Sequence, residues 1–337
     1  MNRFFATFIP GCGEIIRQML QERLKDVTVS ALLDGAVEFE TAVPYSDLNL
    51  FCFNNVFSVL HRGQGDLDSY LRGIAQAEIR WEDARKNPAK VKTFRLVASK
   101  ENRLTAMKGA QSPLERQIAK MTGLRLDKSR PDTEFWLLSR SEGACYFLKR
   151  LSRHKAYDKL LHPGELHPEL AYMLCWLSAP KHTDAVLDPF CGYGAIPQQR
   201  AKRFPFERIY AFDKDEKALK LAGENLSRKN PKIILARQDV LSLEDRLGEA
   251  SIDAVITDPP WGMFEELGGI EGFYRSALTK IDRVLKPGGR LVLLTARKEE
   301  FLGAAGAFPA LHLSAQYAIL VSGKKAGIFV FEKTRCI

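Results

Sequence analysis

From residue 185 onward, short apolar runs alternate with helical stretches, and that alternation constrains the fold more tightly than any other feature of the sequence. Residues 185–188, 208–212, 232–235, 254–257 and 290–294 read as strands. Between them lie helical stretches near 198–203, 216–228 and 273–284. Repeated strand–helix–strand units predict a doubly wound parallel sheet with right-handed crossovers. Two further β runs, 314–321 and 327–332, are joined by a turn at Ser322-Gly323-Lys324 and predict a terminal antiparallel hairpin on that sheet.

The first 150 residues read differently. Residues 3–9 form a β-prone run, Pro10-Gly11-Cys12-Gly13 a turn, and residues 14–24 place Ile15, Ile16, Met19, Leu20 and Leu24 at helical spacing. Residues 27–33 and 36–39 predict a hairpin closed at Asp34-Gly35, and residues 67–77 a helix. Further on, 93–99 alternates as a strand, Ser112-Pro113 opens a helix to Met121, and 135–138 with 144–148 predicts a second hairpin. The expectation is a small α+β region. A polar, basic stretch at 149–162 and the breaker Pro163-Gly164 then separate it from an apolar helix at 168–177.

At 337 residues the chain exceeds the usual size of one domain, so two domains are expected. No run of about 18 uninterrupted apolar residues exists, and the opening MNRFFATFIP is too short and too weakly basic for a signal peptide. A cytoplasmic chain without a membrane segment is expected. The six cysteines, Cys12, Cys52, Cys145, Cys175, Cys191 and Cys336, have no spacing that suits zinc and read as reduced thiols, with no metal. The net charge of +9 is unevenly spread: residues 65–150 hold eighteen Lys plus Arg against eleven Asp plus Glu, whereas 1–64 carry a deficit of two. That surplus fits either an ordinary solvated face or a nucleic-acid surface.

The chemistry-bearing residues fall at strand ends, where ligands of doubly wound sheets bind. The first strand runs into Asp188-Pro189-Phe190-Cys191-Gly192-Tyr193-Gly194. No third glycine follows, so the fingerprint for a dinucleotide pyrophosphate is incomplete. An acid at 188 repels a pyrophosphate but accepts hydrogen bonds from an amino acid's ammonium, which favours S-adenosylmethionine over a nicotinamide cofactor. The second strand ends at Asp213, twenty-five residues later, where an acid can receive ribose hydroxyls. After the third, Asp239 can accept from the adenine amino group while Val240 covers the ring. Phe190, Cys191, Gly192 and Gly194 complete the candidate cofactor site.

The fourth strand ends in Asp258-Pro259-Pro260-Trp261. Two prolines remove two backbone donors and hold the chain extended, leaving outward carbonyls as acceptors. An amino group conjugated to a base ring is a poor nucleophile, because its lone pair is delocalised. Hydrogen bonds from it to the Asp258 side chain and the Pro259 carbonyl favour a pyramidal nitrogen in line with a donor methyl. Trp261 offers a stacking face for an unpaired or flipped base.

Asp258-Pro-Pro-Trp resembles the (Asp/Asn/Ser)-Pro-Pro-aromatic motif of amino-methyltransferases, and Asp188-Pro-Phe-Cys-Gly-Tyr-Gly is similar to their cofactor motif. The stretch His162-Pro163-Gly164-Glu165-Leu166-His167-Pro168 resembles the element that precedes the catalytic domain in THUMP-containing tRNA guanine-N2 methyltransferases. A terminal hairpin also fits methyltransferases better than dehydrogenases. The resemblance implies a Rossmann-like methyltransferase domain at 166–337, a linker at 151–165, a THUMP RNA-binding domain at 65–150 and a ferredoxin-like subdomain at 1–64. It implies a monomer that methylates the N2 of a guanine in or near the tRNA acceptor stem, with S-adenosylhomocysteine as product. Arg95, Lys100, Arg103, Lys108 and Arg125 would then touch phosphates. The sequence departs from the family in Tyr193-Gly194-Ala195, in Pro197-Gln198-Gln199, in His167 and in Trp261. A ribosomal-RNA guanine, an adenine N6 in DNA, a non-catalytic tRNA-binding protein and a dehydrogenase are the competing readings.

Overall fold

The computed structural model describes the chain except residues 87–89, 102, 106–110, 153–160, 163, 227–229, 263–268 and 336–337. Most of the expected linker, Lys108, Cys336 and the end of the helix expected to reach Arg228 lie outside the described residues. The chain divides into one unit of Met1–Phe8 and Arg17–Lys155 and another of Ile9–Ile16 and Ala156–Ile337. Among the described residues no helix is long and apolar enough to cross a membrane.

Element order in the N-terminal half is β1 (Asn2–Thr7), α1 (Gly13–Arg23), β2 (Thr28–Leu33), β3 (Ala36–Thr41), β4 (Asn55–Gln64), α2 (Leu67–Gly73), α3 (Trp81–Arg85), β5 (Thr93–Lys100), β6 (Arg103–Leu104), α4 (Gln111–Thr122), β7 (Arg125–Leu126), β8 (Thr133–Ser139) and β9 (Ala144–Arg150). The strands form one sheet in the order β2-β3-β1-β4-β9-β8-β5-β6, with β7 also on β5. Leu71, Ile74, Leu114 and Ile118 from the helical segments pack with Phe94, Phe135 and Phe147 in one core cluster. Phe5, Phe57, Tyr146 and Leu148 form another. Apolar burial of this kind stabilises by roughly 25 cal/mol per Å².

β4 has no counterpart among the expected strands. Its apolar residues come in pairs, Val56-Phe57 and Val59-Leu60, all buried. A strand paired on both sides, here with β1 and β9, and covered on both faces loses the period-2 pattern that marks a half-exposed strand. β4 makes the strands of residues 1–64 and those of 65–150 one continuous sheet.

The second unit contains α5 (Pro168–Leu177), β10 (Ala185–Asp188), α6 (Ala195–Arg203), β11 (Arg208–Asp213), α7 (Glu216–Asn225), β12 (Ile233–Arg237), β13 (Ile252–Thr257), α8 (Ile270–Val284), β14 (Leu285–Thr295), α9 (Lys298–Ala305), β15 (Leu311–Val321) and β16 (Lys324–Lys333). The sheet runs β12-β11-β10-β13-β14-β16-β15. Its first five strands are parallel, and β16 pairs antiparallel with both β14 and β15. The expected doubly wound sheet with a terminal hairpin is therefore present. The order reverses at β10, which pairs β11 on one side and β13 on the other, and such a switch point opens a crevice at the strand carboxyl ends.

α6 starts three residues before the expected helix, at Ala195, because Pro197 falls in its first turn, where the missing N–H costs no intrahelical bond. It is anchored by a buried ion pair, Arg200 to Asp184 at 2.7 Å, with Arg200 also donating to Ser178. α8 buries Tyr274, Ala277, Leu278, Ile281 and Val284, a stripe at helical spacing, in the core that contains Leu291 and Leu293. α9 was not expected, since its eight residues include Gly303 and no repeated apolar period. Only packing of Phe301, Ala304 and Ala305 into that core makes it a helix.

Candidate active site

β10 delivers Asp188 into the interior, 1% exposed. Its Oδ1 accepts from Thr257 Oγ1 at 2.9 Å and from the Phe190 backbone N–H at 3.2 Å. The carboxyl thus ties β10 to the end of β13 and starts the turn that follows. Burial drives its pKa well above the ordinary carboxylate range, and the nearby charges of Asp213 and Asp258 push the same way. The ligand acceptor expected from the sequence is an interior group already engaged by Thr257 and Phe190.

The glycine loop is fastened to β11. The Cys191 N–H donates to the Phe212 carbonyl at 2.8 Å, and the Gly192 N–H to Asp213 Oδ2 at 2.8 Å. Asp213 Oδ1 accepts from the Asp215 N–H at 2.9 Å, so this side chain organises the loop as well as marking the strand end. Gly192 and Gly194 have φ of +49° and +84°, a region that favours glycine. A Cβ on Gly194 would sit 3.2 Å from Ala222 Cβ on α7, whereas one on Gly192 would meet nothing within 4 Å. Gly194 is therefore favoured both by its positive φ and by close packing on α7, and Gly192 faces open space in which a ligand can approach the backbone. Cys191 is a buried free thiol. The Phe190 ring lies 6.0 Å from that of Phe273 on α8.

Asp239 caps the short 3-10 turn Val240–Asp245 by accepting from the Leu241 N–H at 2.9 Å, and is exposed. Val240 is buried in the core cluster. The expected hydrophobic cover of a ring is thus directed into packing at this position.

Asp258 and Trp261 meet directly, with indole Nε1–H donating to Asp258 Oδ1 at 2.8 Å. Burial pushes the Asp258 carboxyl up to about 7, against the lowering effect of that hydrogen bond. No cation pairs with Asp188 or Asp258 among the described residues. The charges of Asp213 and Asp258, at two further strand ends, thus act on an Asp188 that has no basic partner among the described residues, a setting that suits a positively charged ligand and repels a pyrophosphate.

The stretch before α5 also reaches the loop. His162 stacks on Tyr193 with centroids 4.9 Å apart. A cavity of about 70 Å³, room for about two waters, is lined by Glu165, Leu166, Gly194, Ala195, Gln198 and Asn225 among others. The departure Tyr193 therefore has a partner in His162.

The four described basic residues expected to touch RNA do not lie at one place on the sheet. Arg95 is held by Glu134, its Nε donating to Oε1 at 2.8 Å. Lys100 and Arg103 are exposed register partners at one end of β5. Arg125 pairs with Thr93 at the other end, roughly 20 Å away at the usual rise per strand residue. Residues that sequence reasoning missed are Thr257, Tyr274, Thr295 and Arg297. Only Thr257 had a local signal, its place immediately before Asp258.

A doubly wound sheet with a terminal hairpin, a glycine loop after its first strand and an Asp-Pro-Pro-Trp loop after its fourth defines a class I methyltransferase fold. Residues 155–318 match the model of UPF0020, the RMKL-like methyltransferase domain. The chain is similar to the tRNA (guanine(6)-N(2))-methyltransferase THUMP3 of Bos taurus, 30% identical over 201 residues, 54% of this chain and 39% of that one. It is also similar to the tRNA (guanine(6)-N2)-methyltransferase of Thermus thermophilus, 32% identical over 222 residues, 63% of each chain. These matches cover less than two thirds of the relatives' length. Among solved structures, TrmN from Thermus thermophilus aligns with a TM-score of 0.75 at 25% identity, over 99% of this chain and 100% of that one.

Proposed function

We propose that this protein is an S-adenosylmethionine-dependent tRNA methyltransferase that methylates the exocyclic N2 amino group of a guanine in or near the acceptor stem. The observation that carries the reading is the meeting of Asp258, the two prolines and Trp261 at the switch point, beside the strand-end carboxyl of Asp188, which has no cation partner among the described residues. S-adenosylmethionine fits such a cleft because it brings a sulfonium and an ammonium to carboxyls that lack cations, and when bound it supplies the electrophilic methyl group.

The chain's own residues do the rest. The Gly192 backbone leaves open space for the cofactor, and Asp213 holds the loop around it. Asp258 and the Pro259 carbonyl accept the two N–H bonds of the base amino group, which brings the nitrogen lone pair out of conjugation and towards the methyl. Asp258 Oδ1 is already engaged by the indole, so Oδ2 is the acceptor offered to the base. The Trp261 ring covers the base, and the proton lost on methylation passes to Asp258 or water. A carboxyl titrating near 7 is suited to that transfer.

Residues 65–150 serve as a THUMP region beside a ferredoxin-like region at 1–64, with Lys100, Arg103 and Arg125 on phosphates and Arg95 committed to Glu134. The guanine-6 target named for the bovine and Thermus relatives supports the acceptor-stem position. The same resemblance supports a monomer acting in the cytoplasm. The test is transfer of labelled methyl to bulk tRNA, ribosomal RNA and DNA in parallel, followed by nucleoside analysis. Label in N2-methylguanosine from tRNA is expected. Label confined to ribosomal RNA or DNA would overturn the substrate, and none from chain that binds the cofactor would overturn the activity.

A further inference from the structure

The loop that carries Asp258 is gripped through its later carbonyls. Tyr274 on α8 bonds the Pro260 carbonyl at 3.0 Å. A carbonyl only accepts, so the phenol hydrogen is committed to that bond. The Tyr274 oxygen must then accept from the Thr295 hydroxyl, 3.0 Å away at the end of β14. Thr295 Oγ1 in turn accepts from the Arg297 backbone N–H at 2.9 Å. One relay of fixed polarity therefore runs from the Arg297 N–H through Thr295 and Tyr274 to Pro260. Its two hydroxyls are interior, Tyr274 being 2% exposed and Thr295 0%.

Arg297 supplies a second hold, since its side-chain Nε donates to the Trp261 carbonyl at 2.8 Å. Two of the three carbonyls after Asp258 are thus occupied. Among the described residues no donor reaches the third, that of Pro259. The division matches what the reaction requires: acceptors for the amino group on one part of the loop, anchors on the other.

We propose that Tyr274, Thr295 and Arg297 are positioning residues that fix the Asp258-Pro259-Pro260-Trp261 loop, keeping the Asp258 carboxyl and the Pro259 carbonyl aligned on the amino group. The proposal deepens the function proposed above and rests on it. A merely structural role would place the same residues in the fold but would leave turnover per folded molecule unchanged.

The experiment is steady-state methyl transfer to tRNA by the full chain, with kcat separated from the KM of each substrate. Thr295→Val removes the hydroxyl at nearly constant shape, Thr295→Ser keeps it, and Tyr274→Phe cuts the next link. Thr295→Val and Tyr274→Phe are each expected to lower kcat about tenfold or more, with both KM values within about twofold, because misplacement of reacting groups is felt in turnover. The double variant is expected to lose no more than the worse single one, since both cut one relay. Thr295→Ser is expected to stay within about twofold of wild type.

Arg297→Met removes the Trp261 hold and a partly exposed ion pair to Glu300 but keeps the backbone N–H that feeds the relay, so it keeps the test open if an interior variant does not fold. It is expected to lower kcat about threefold, again with KM unchanged, and Arg297→Lys to restore part of the loss. Folded variants with wild-type kcat overturn the proposal. Losses that appear as raised KM and lowered melting temperature, with kcat intact, overturn it equally. Wild-type chain that methylates no RNA overturns the underlying reading, and that result is seen before any variant is made.

Discussion

Two carboxyl groups in this molecule each accept a hydrogen bond from a nearby indole, yet their surroundings oppose one another. In the first unit Glu134 accepts from Trp136 at 2.9 Å, from Arg150 at 2.9 Å and from Arg95. Burial would raise its pKa, but the bonds from Arg150, Trp136 and Arg95 outweigh burial and hold it below the ordinary value. In the second unit Asp258 accepts from Trp261 at 2.8 Å and has no cation beside it among the described residues. Burial wins there, and the carboxyl is pushed up to about 7. The first arrangement is satisfied within the fold. The second keeps a carboxyl oxygen without a partner among the described residues, a cost in stability of the kind that functional sites carry.

The largest effect that can break this contrast is on catalysis. Asp258→Asn is expected to lower kcat for methyl transfer by about 100- to 1000-fold, the usual scale for one preorganised polar group, while leaving cofactor affinity within about threefold. Labelled-methyl transfer alongside calorimetric cofactor titration checks it. Joint loss of binding and turnover would mean that Asp258 holds the fold or the cofactor rather than the amino group.

Next in size is stability. Glu134→Ala leaves Arg95 and Arg150 near one another without their carboxylate and is expected to cost roughly 2–3 kcal/mol in urea unfolding. That lies below the range for a fully buried pair because both arginines reach solvent. A shift under about half a kcal/mol would show that the cluster is ornamental and remove one side of the comparison.

The smallest effect sharpens the contrast through pH. A carboxyl raised to about 7 is neutral below that value and ionised above it, so kcat is expected to rise with pH through about 7 if the ionised form receives the amino hydrogens. The stability sign is opposite. The folded state holds this proton more tightly than the unfolded chain, so the contribution is full below the ordinary carboxylate pKa and lost as pH rises through about 7. Trp261→Phe keeps a ring over the base but removes the N–H that lowers the Asp258 pKa. The midpoint of its rate profile is therefore expected to move up by about half to one pH unit. An unmoved midpoint would separate the observed titration from Asp258.

Legibility differed in the same way between the regions. The strand-end acids, both glycines and Asp258-Pro259-Pro260-Trp261 could be found because a parallel sheet places ligands at strand carboxyl ends, so position along the chain already implies position in space. The basic residues of the first unit had no such rule. Charge counting could not tell that Arg95 is taken by Glu134, thirty-nine residues away, or that Arg125 and Lys100 stand at opposite ends of β5. β4 was hidden for a related reason, since burial on both faces erased the alternation by which strands are recognised.

By itself the sequence determined the α/β alternation, the order of cofactor and catalytic motifs, and the side-chain chemistry available at each strand end. These depend on local periodicity and on residues adjacent in the chain. Tertiary structure alone decided that Asp188 is an interior tie to Thr257, that Val240 packs into the core, and that Tyr274, Thr295 and Arg297 hold the Asp-Pro-Pro-Trp loop. Those outcomes rest on bonds between residues 14 to 69 positions apart, whose partners are chosen by how the sheet brings distant strand ends together and by the requirement that buried polar groups find a partner.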